Sequence, residues 1–221
     1  MSDLIKLYSY WRSSAAYRVR IALHLKELPY EYLPVSLIAD GGQHHAAEYH
    51  KLNPQDLVPV IIDGERVVRQ SMAIIEYLDE TYHTSGYVLM PPSARERARV
   101  RAISQLIACD IHPLNNLRVL SYLEREFGAT LAQKEAWIRN WVTQGFTALE
   151  DLLQRNPGTG DFCEGDDPSL ADCCLVPQVY AARRYGFEVE KYPTVKRVYD
   201  RCMELDEFER AQPELQPDAV L

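Results

Sequence analysis

The feature that most constrains this chain is an apolar run of strand length, Leu4-Ile5-Lys6-Leu7-Tyr8, followed closely by Val19, Ala22, Leu23 and Lys26 at helical spacing. Between them lies Ser9-Tyr10-Trp11-Arg12-Ser13-Ser14, so both serines stand where a strand hands over to a helix. Such a junction presents unpaired backbone N–H groups, a positive helix end and a capping hydroxyl at one point. An anion is the natural guest there, although an ordinary N-cap serine has the same local signature.

The next stretches extend that unit. Pro29-Tyr30-Glu31-Tyr32-Leu33-Pro34-Val35 reads as a second strand, and the polar stretch from Ile38 to Leu52, carrying Gly41-Gly42-Gln43-His44, as a loop or short helix. Asn53-Pro54 marks a turn. Val58 to Val68 reads as a hairpin with Asp63-Gly64 in a type I′ turn. Pro59 would cost a ladder bond in a central strand, so an edge position or a cis bond is expected. Ser71 is placed to cap a helix carrying Ala73, Ile74, Tyr77 and Leu78 on one face, and with Gln70 before it forms a second junction suited to a carboxylate. The order βαβαββα over residues 1–84 matches a thioredoxin-like α/β domain.

Residues 85–92, with Gly86, Pro91 and Pro92, read as a linker, and 93–221 as an all-helical domain. Ser93 to Glu96 has the form of a capping box. The helix after it, with Ile103, Leu106, Ile107, Ile111 and Leu114, is expected to run to about Leu120 with a kink at Pro113. On it His112, Asn115, Asn116 and Arg118 form a polar fan, which a solvated face would explain equally. A second long helix covers Leu131 to Leu153, with Trp137, Trp141, Phe146 and Leu149 for the core. Ser169 to Asp172 is a further capping box, and a last helix follows Pro193.

Composition narrows the function. The net charge of −8 argues against nucleic acid. Met1-Ser2-Asp3 leads straight into the strand, and no apolar run approaches the ~18 residues of a membrane span, so a cytoplasmic protein without membrane partners is expected. The five cysteines have no metal-like spacing, and His44, His45 and His50 lack the spacing of a helical zinc pair, so no metal site is expected.

The segment Ser13-Ser14-Ala15-Ala16-Tyr17-Arg18-Val19-Arg20-Ile21-Ala22-Leu23 resembles the S-S-C-x-[WH]-R-V-R-I-A-L signature of zeta-class glutathione transferases, the maleylacetoacetate isomerase family. Asn53-Pro54 with Val58-Pro59, Gln70-Ser71 with Ala73 to Leu78, and Leu170-Ala171-Asp172 with Leu175 to Gln178 follow in that family's order. Cys109 to Asn116 is similar to the bacterial maleylpyruvate isomerase branch. The resemblance implies a homodimeric, glutathione-dependent cis–trans isomerase of a maleyl keto acid in aromatic catabolism. It implies a glutathione site at Ser13, Ser14, His44, Val58, Gln70, Ser71, His112, Asn116 and Arg118, with the two serines catalytic. Arg12, Arg118 and Arg184 fall where the family holds the carboxylates of a dicarboxylate substrate. One departure is plain: the family's cysteine is Ala15 here.

The implied chemistry has a physical basis. Adding a thiolate beside a carbon–carbon double bond leaves a single bond that can rotate, and loss of the thiolate then gives the trans isomer. A thiol of pKa about 8.5 must be lowered by about two units, roughly 2.7 kcal/mol, to be ionised at neutral pH. A helix N-terminus with a serine hydrogen bond can supply that. Two further readings stay open: a transferase acting on small electrophiles or α-halo acids, and a non-catalytic glutathione-binding module.

Overall fold

A computed structural model describes residues 4–220; Met1-Ser2-Asp3 and Leu221 lie outside them. The chain divides into two compact units, Met1–Met90 with Glu204–Leu221, and Pro91–Met203.

The first unit is built on four strands, β1 (Ile5–Ser9), β2 (Tyr30–Pro34), β3 (Val60–Asp63) and β4 (Arg66–Arg69), in the order β2-β1-β3-β4. β1 and β2 run parallel, while β3 is antiparallel to both β1 and β4. Helix α1 (Ser14–Leu25) makes the crossover between the parallel pair, as a parallel connection requires. α2 (Ala47–Leu52) precedes β3 and α3 (Ser71–Thr81) follows β4, completing a thioredoxin-like unit. Ile5 and Leu7 of β1 are buried while Lys6 between them is exposed, the alternation of a strand with one covered face. The hairpin turn differs from the expected Asp63-Gly64. Asp63 pairs with Arg66, so Gly64-Glu65 make the turn, with Gly64 at φ +58°. Only the first of its two central residues lies in the left-handed region, as in a type II′ turn.

α1 is buried on nearly all sides, because α3 and α9 (Asp206–Arg210) also pack on it. The segment 204–221 therefore belongs to the first unit rather than to the helical one, where the residue pattern places it. The expected linker is also partly absorbed. Lys26, wholly buried, donates to Asp79 Oδ1 at 3.1 Å and to the carbonyl of Tyr87 at 2.9 Å, and the Asp79 carboxylate accepts from the N–H groups of Leu89 and Met90. Gly86 makes this close approach possible: a Cβ there would lie 2.0 Å from the carbonyl oxygen of Leu25.

The second unit is helical. α4 (Ala94–Gln105) is capped by Ser93 through the N–H of Glu96. The single kinked helix expected to reach Leu120 is instead broken. α4 runs into a π turn at Leu106–Ile111 and a 3₁₀ turn at His112–Asn115, and α5 (Leu117–Phe127) restarts with Asn116 as its N-cap. Pro113 cannot donate, and Asn116 supplies an acceptor for the new helix, so the chain stops and starts again rather than bending. α6 (Leu131–Gln154) buries Ile138, Val142, Phe146, Leu149 and Leu153, leaving Trp137 and Trp141 half-buried at its edge. Ile111 fits against α6 at Gly145, where a Cβ would lie 2.2 Å from its Cδ1. α7 (Leu170–Arg183) is the core helix of this unit, buried continuously from Leu170 to Val179. Its capping box is formed by Ser169 and Asp172, whose buried carboxylate also accepts from the N–H of Cys163 at 2.9 Å. α8 (Pro193–Met203) completes the unit. Among the described residues no helix is long and apolar enough to cross a membrane.

Candidate active site

The topology gathers one set of polar residues at one end of the sheet. β1 runs toward Ser9 and hands over to α1, and β2, parallel to it, ends at the same edge before the segment carrying His44. β3 is antiparallel to β1 and begins there, after Val58. β4 ends there, leading through Gln70 into α3. The residues Ser13, Ser14, His44, Val58, Gln70 and Ser71, dispersed over almost sixty positions, thus share one edge. α1 and α3 both start at it, so two positive helix ends and their first-turn N–H groups face the same side of the unit.

Ser13 is the N-cap of α1, with its hydroxyl oxygen accepting from the N–H of Ala16 at 3.2 Å. A serine hydroxyl that accepts from the backbone still has its own hydrogen to donate, so the capping role and a role toward a ligand are compatible. Ser14 is the first residue of the helix and half-buried. Ser71 does not cap α3 as its position suggests. It is the first helical residue, and Gln70 holds the cap position at φ +70°, ψ 118°. The Ser71 hydroxyl instead accepts from Arg18 Nη1 at 3.2 Å, which again leaves its hydrogen to be given away.

The loop before Val58 is fastened from several sides. Asn53 Nδ2 and the Tyr49 hydroxyl both donate to the carbonyl of Leu57 at 2.7 Å, and the Arg69 guanidinium donates to the carbonyl of Leu52. Gln70 Nε2 donates to Gln55 Oε1 at 2.7 Å. Of the two expectations for Pro59, an edge position or a cis bond, the second holds: the Val58-Pro59 bond is cis, and β3 after it lies inside the sheet. His44 is half-buried with its ring centroid 3.8 Å from that of His45; burial, then the neighbouring imidazole, lowers its pKa from the ordinary histidine value.

Trp11 and Arg12 form the turn between β1 and α1, closed by the N–H of Ser13 on the carbonyl of Tyr10 at 2.9 Å. The Arg12 guanidinium lies 5.0 Å from the centroid of the Trp11 indole, within cation–π range. Beneath the turn Arg20 is wholly buried, and desolvation lowers its pKa. Its guanidinium donates to the carbonyls of Trp11 and Ala211 at 3.0 Å each and to Ser9 Oγ at 3.3 Å. Asp218 reaches the same turn from the far end of the sequence, taking the N–H of Trp11 at 3.1 Å and the hydroxyl of Tyr32 at 2.6 Å. Burial, and then the bond to Asp218, push the Tyr32 phenol up. Local pattern carries no signal for Asp218 as part of this region, and Arg20, although it stands in the signature, gives no sign there of what it binds; the partners of both are set by tertiary packing.

The remaining candidates lie in the second unit. His112 sits half-buried in the 3₁₀ turn, Asn116 caps α5 with its Oδ1 on the N–H of Arg118 at 3.1 Å, and Arg118 is exposed. The helical fan drawn from uniform spacing does not survive the break at Asn116, although the residues remain close in one stretch. Arg184 is exposed at the end of α7, 5.9 Å from the Tyr185 ring. Its neighbour Arg183 is engaged elsewhere, 3.9 Å from Glu190 and over the Tyr199 ring. No group of three or more His, Cys, Asp or Glu among the described residues is arranged to hold a metal.

Comparison with known proteins gives the family. The model of the glutathione S-transferase N-terminal domain matches residues 7–86, and that of the C-terminal domain matches 135–201. The chain belongs to the glutathione S-transferase family. Within the glutathione S-transferases it is 50% identical over 219 residues to a probable maleylacetoacetate isomerase of Vibrio cholerae, covering 99% of this chain and all of that one. A holo structure of maleyl pyruvate isomerase, described as a bacterial glutathione S-transferase of zeta class, superposes with a TM-score of 0.93 at 48% identity, covering 97% of this chain and 100% of the other. A maleylacetoacetate isomerase from Methylobacterium extorquens AM1, solved with malonate and glutathione bound, gives a TM-score of 0.93 at 40% identity, over 98% and 100% of the two chains. In this family member the position of the signature cysteine is Ala15, half-buried in the first turn of α1.

Proposed function

We propose that this chain is a glutathione-dependent cis–trans isomerase that converts a maleyl keto acid, maleylpyruvate or maleylacetoacetate, to its fumaryl isomer in the breakdown of aromatic compounds. The observation that carries the proposal is the full-length likeness to isomerases of both names, joined to a sheet edge where two helix N-termini and two serine hydroxyls with hydrogens to donate come together. These groups fit glutathione, whose carboxylates and thiolate are anions. Helix ends and hydroxyl donors are the backbone and side-chain chemistry that holds such groups.

When bound, glutathione supplies a thiol whose ionised form adds reversibly to the double bond, so that nothing on the chain is consumed. Ser13 donates its hydroxyl hydrogen toward the sulfur and, with the N-terminus of α1, favours the ionised form. Ser14 and Ser71, the first-turn N–H groups of α3, Gln70, His44 and the backbone of Val58 hold the tripeptide. Arg12 offers a planar fork to one substrate carboxylate from the turn before Ser13. For Arg118 and Arg184 the same role, and for His112, Asn116 and Arg118 a share in holding glutathione, rest on the family resemblance. A homodimer working in the cytoplasm belongs to the same proposal on the same support. The ligands of related structures, malonate with glutathione among them, favour a small dicarboxylate.

Turnover of both maleyl keto acids, with and without glutathione, tests the reading. Isomerisation with catalytic, unconsumed glutathione is expected. Arg12→Ala and Arg184→Ala are expected to raise KM for the diacid about tenfold or more while changing the glutathione Kd far less. Stoichiometric consumption of thiol would favour a conjugating transferase instead, and failure to bind glutathione would refute the proposal.

A further inference from the structure

The turn that carries Arg12 and leads into Ser13 has its backbone held from both sides by groups distant in sequence. The N–H of Trp11 donates to Asp218 Oδ2 at 3.1 Å, across 207 residues. The carbonyl of the same residue accepts from Arg20 Nη2 at 3.0 Å, and Arg20 Nε is bound to the carbonyl of Ala211. Both polar groups of one residue are therefore fixed, one by a carboxylate in the segment 204–221 and the other by an arginine anchored to that segment. The Asp218 carboxylate is itself steadied by the hydroxyl of Tyr32 on β2 at 2.6 Å. Ala219, next along, packs against the apolar cluster that contains Tyr10, Trp11 and Val58. The segment is internally tied as well, because buried Gln216 donates to the carbonyls of Arg210 and Gln212 at 3.0 and 2.7 Å.

A loose segment folded against the surface would not need this arrangement. A peptide N–H bound to a carboxylate is a charge-assisted bond, about twice as strong as a neutral one. It acts on the residue immediately before Arg12 and two before Ser13. Rotation of the Trp11 peptide would redirect the Arg12 side chain and lengthen the Ser13 N–H bond to Tyr10 that closes the turn.

We propose that Asp218 is a positioning residue: through the Trp11 amide it holds the turn in the one conformation that aims Arg12 and Ser13 at the site, and makes the segment 204–221 part of the catalytic apparatus. This rests on the function proposed above. No atom of Asp218 need touch glutathione or substrate.

Hydrogen exchange of the protein without ligand, read at residues 10–13, reports the clamp directly, and three variants grade it. Asp218→Ala is expected to raise exchange there about tenfold while α3 and α7 exchange as in the parent. It is also expected to lower kcat about tenfold and raise the pKa of bound glutathione by about one unit. Asp218→Asn keeps an acceptor oxygen without the charge and should fall between the two. Tyr32→Phe, which leaves the Trp11 bond in place, should stay within about threefold of the parent. Unchanged exchange at residues 10–13 in Asp218→Ala overturns the proposal. So does raised exchange with an unaltered thiol pKa and kcat per folded molecule, since that is stability alone. If Asp218→Ala does not fold, Asp218→Asn decides, and parental values for both exchange and thiol pKa overturn it. A parent that turns over neither keto acid refutes the proposed function together with this role. An active parent with an indifferent Asp218 refutes the role alone.

Discussion

Ser13 offers the sharpest test, because its two roles can be separated. Its oxygen caps α1 by accepting from Ala16 N–H at 3.2 Å, and its hydrogen is the one proposed to reach the thiolate. Ser13→Ala removes both. Loss of the cap should cost about 1 kcal/mol, which in a chain of this size lowers Tm by roughly 2–4 °C. Loss of a hydrogen bond to a charge should cost about 1.5–3 kcal/mol, which is about one to two units of thiol pKa and on the order of 10- to 100-fold in rate. Ser13→Asp retains a good capping acceptor and removes the donor, placing a like charge beside the sulfur. It should melt close to the parent and still lose the low thiol pKa. Ser13→Thr keeps both functions and should remain near the parent. Thermal melts, thiolate absorbance against pH and the isomerase assay read the three outcomes. If Ser13→Ala melts lower yet leaves thiol pKa and rate within about twofold, Ser13 is a plain N-cap and the catalytic argument fails.

Three further outcomes follow from the structure. Ala15→Cys restores the family's residue without touching the Ser13 donor, so it should change rate and thiol pKa only a few-fold; a large gain over a nearly inactive parent would show that the cysteine is required. Lys26→Met leaves the buried Asp79 without its cation and should destabilise the fold by about 3–5 kcal/mol in urea titration, and a loss under about 1 kcal/mol would contradict the buried-pair reading. Burial first, then the charges of Arg210 and Arg20, lower the His24 pKa from 6.5 to about 4. The folded state therefore keeps His24 neutral while the unfolded chain protonates, so stability is complete above pH 6.5 and is lost as pH falls toward 4, by up to about 3 kcal/mol. His24→Gln should flatten the stability profile in that window, and an unchanged slope would refute the assignment.

What the sequence determined by itself was local. Alternation and helical spacing place β1, α1 and α6 within a residue or two, and the Ser169–Asp172 box forms as written, because short-range backbone and capping energetics decide those features. The serines at the strand-to-helix junction were legible for the same reason. Tertiary structure decided most of the rest. A one-residue change in the hairpin turn and Gln70 in place of Ser71 at a helix cap depend on how the strands pair and the helix docks, whereas the break at Pro113 turns on Asn116 capping a new helix, a local alternative to the kink that apolar spacing does not register. That 204–221 joins the first unit follows from α9 packing on α1 and from Arg20 and Asp218 finding partners up to 207 residues away. Periodicity reports which face of an element is apolar. It cannot report which distant carboxylate meets a particular amide, because that depends on chain-long topology and the burial that makes such a bond worth forming.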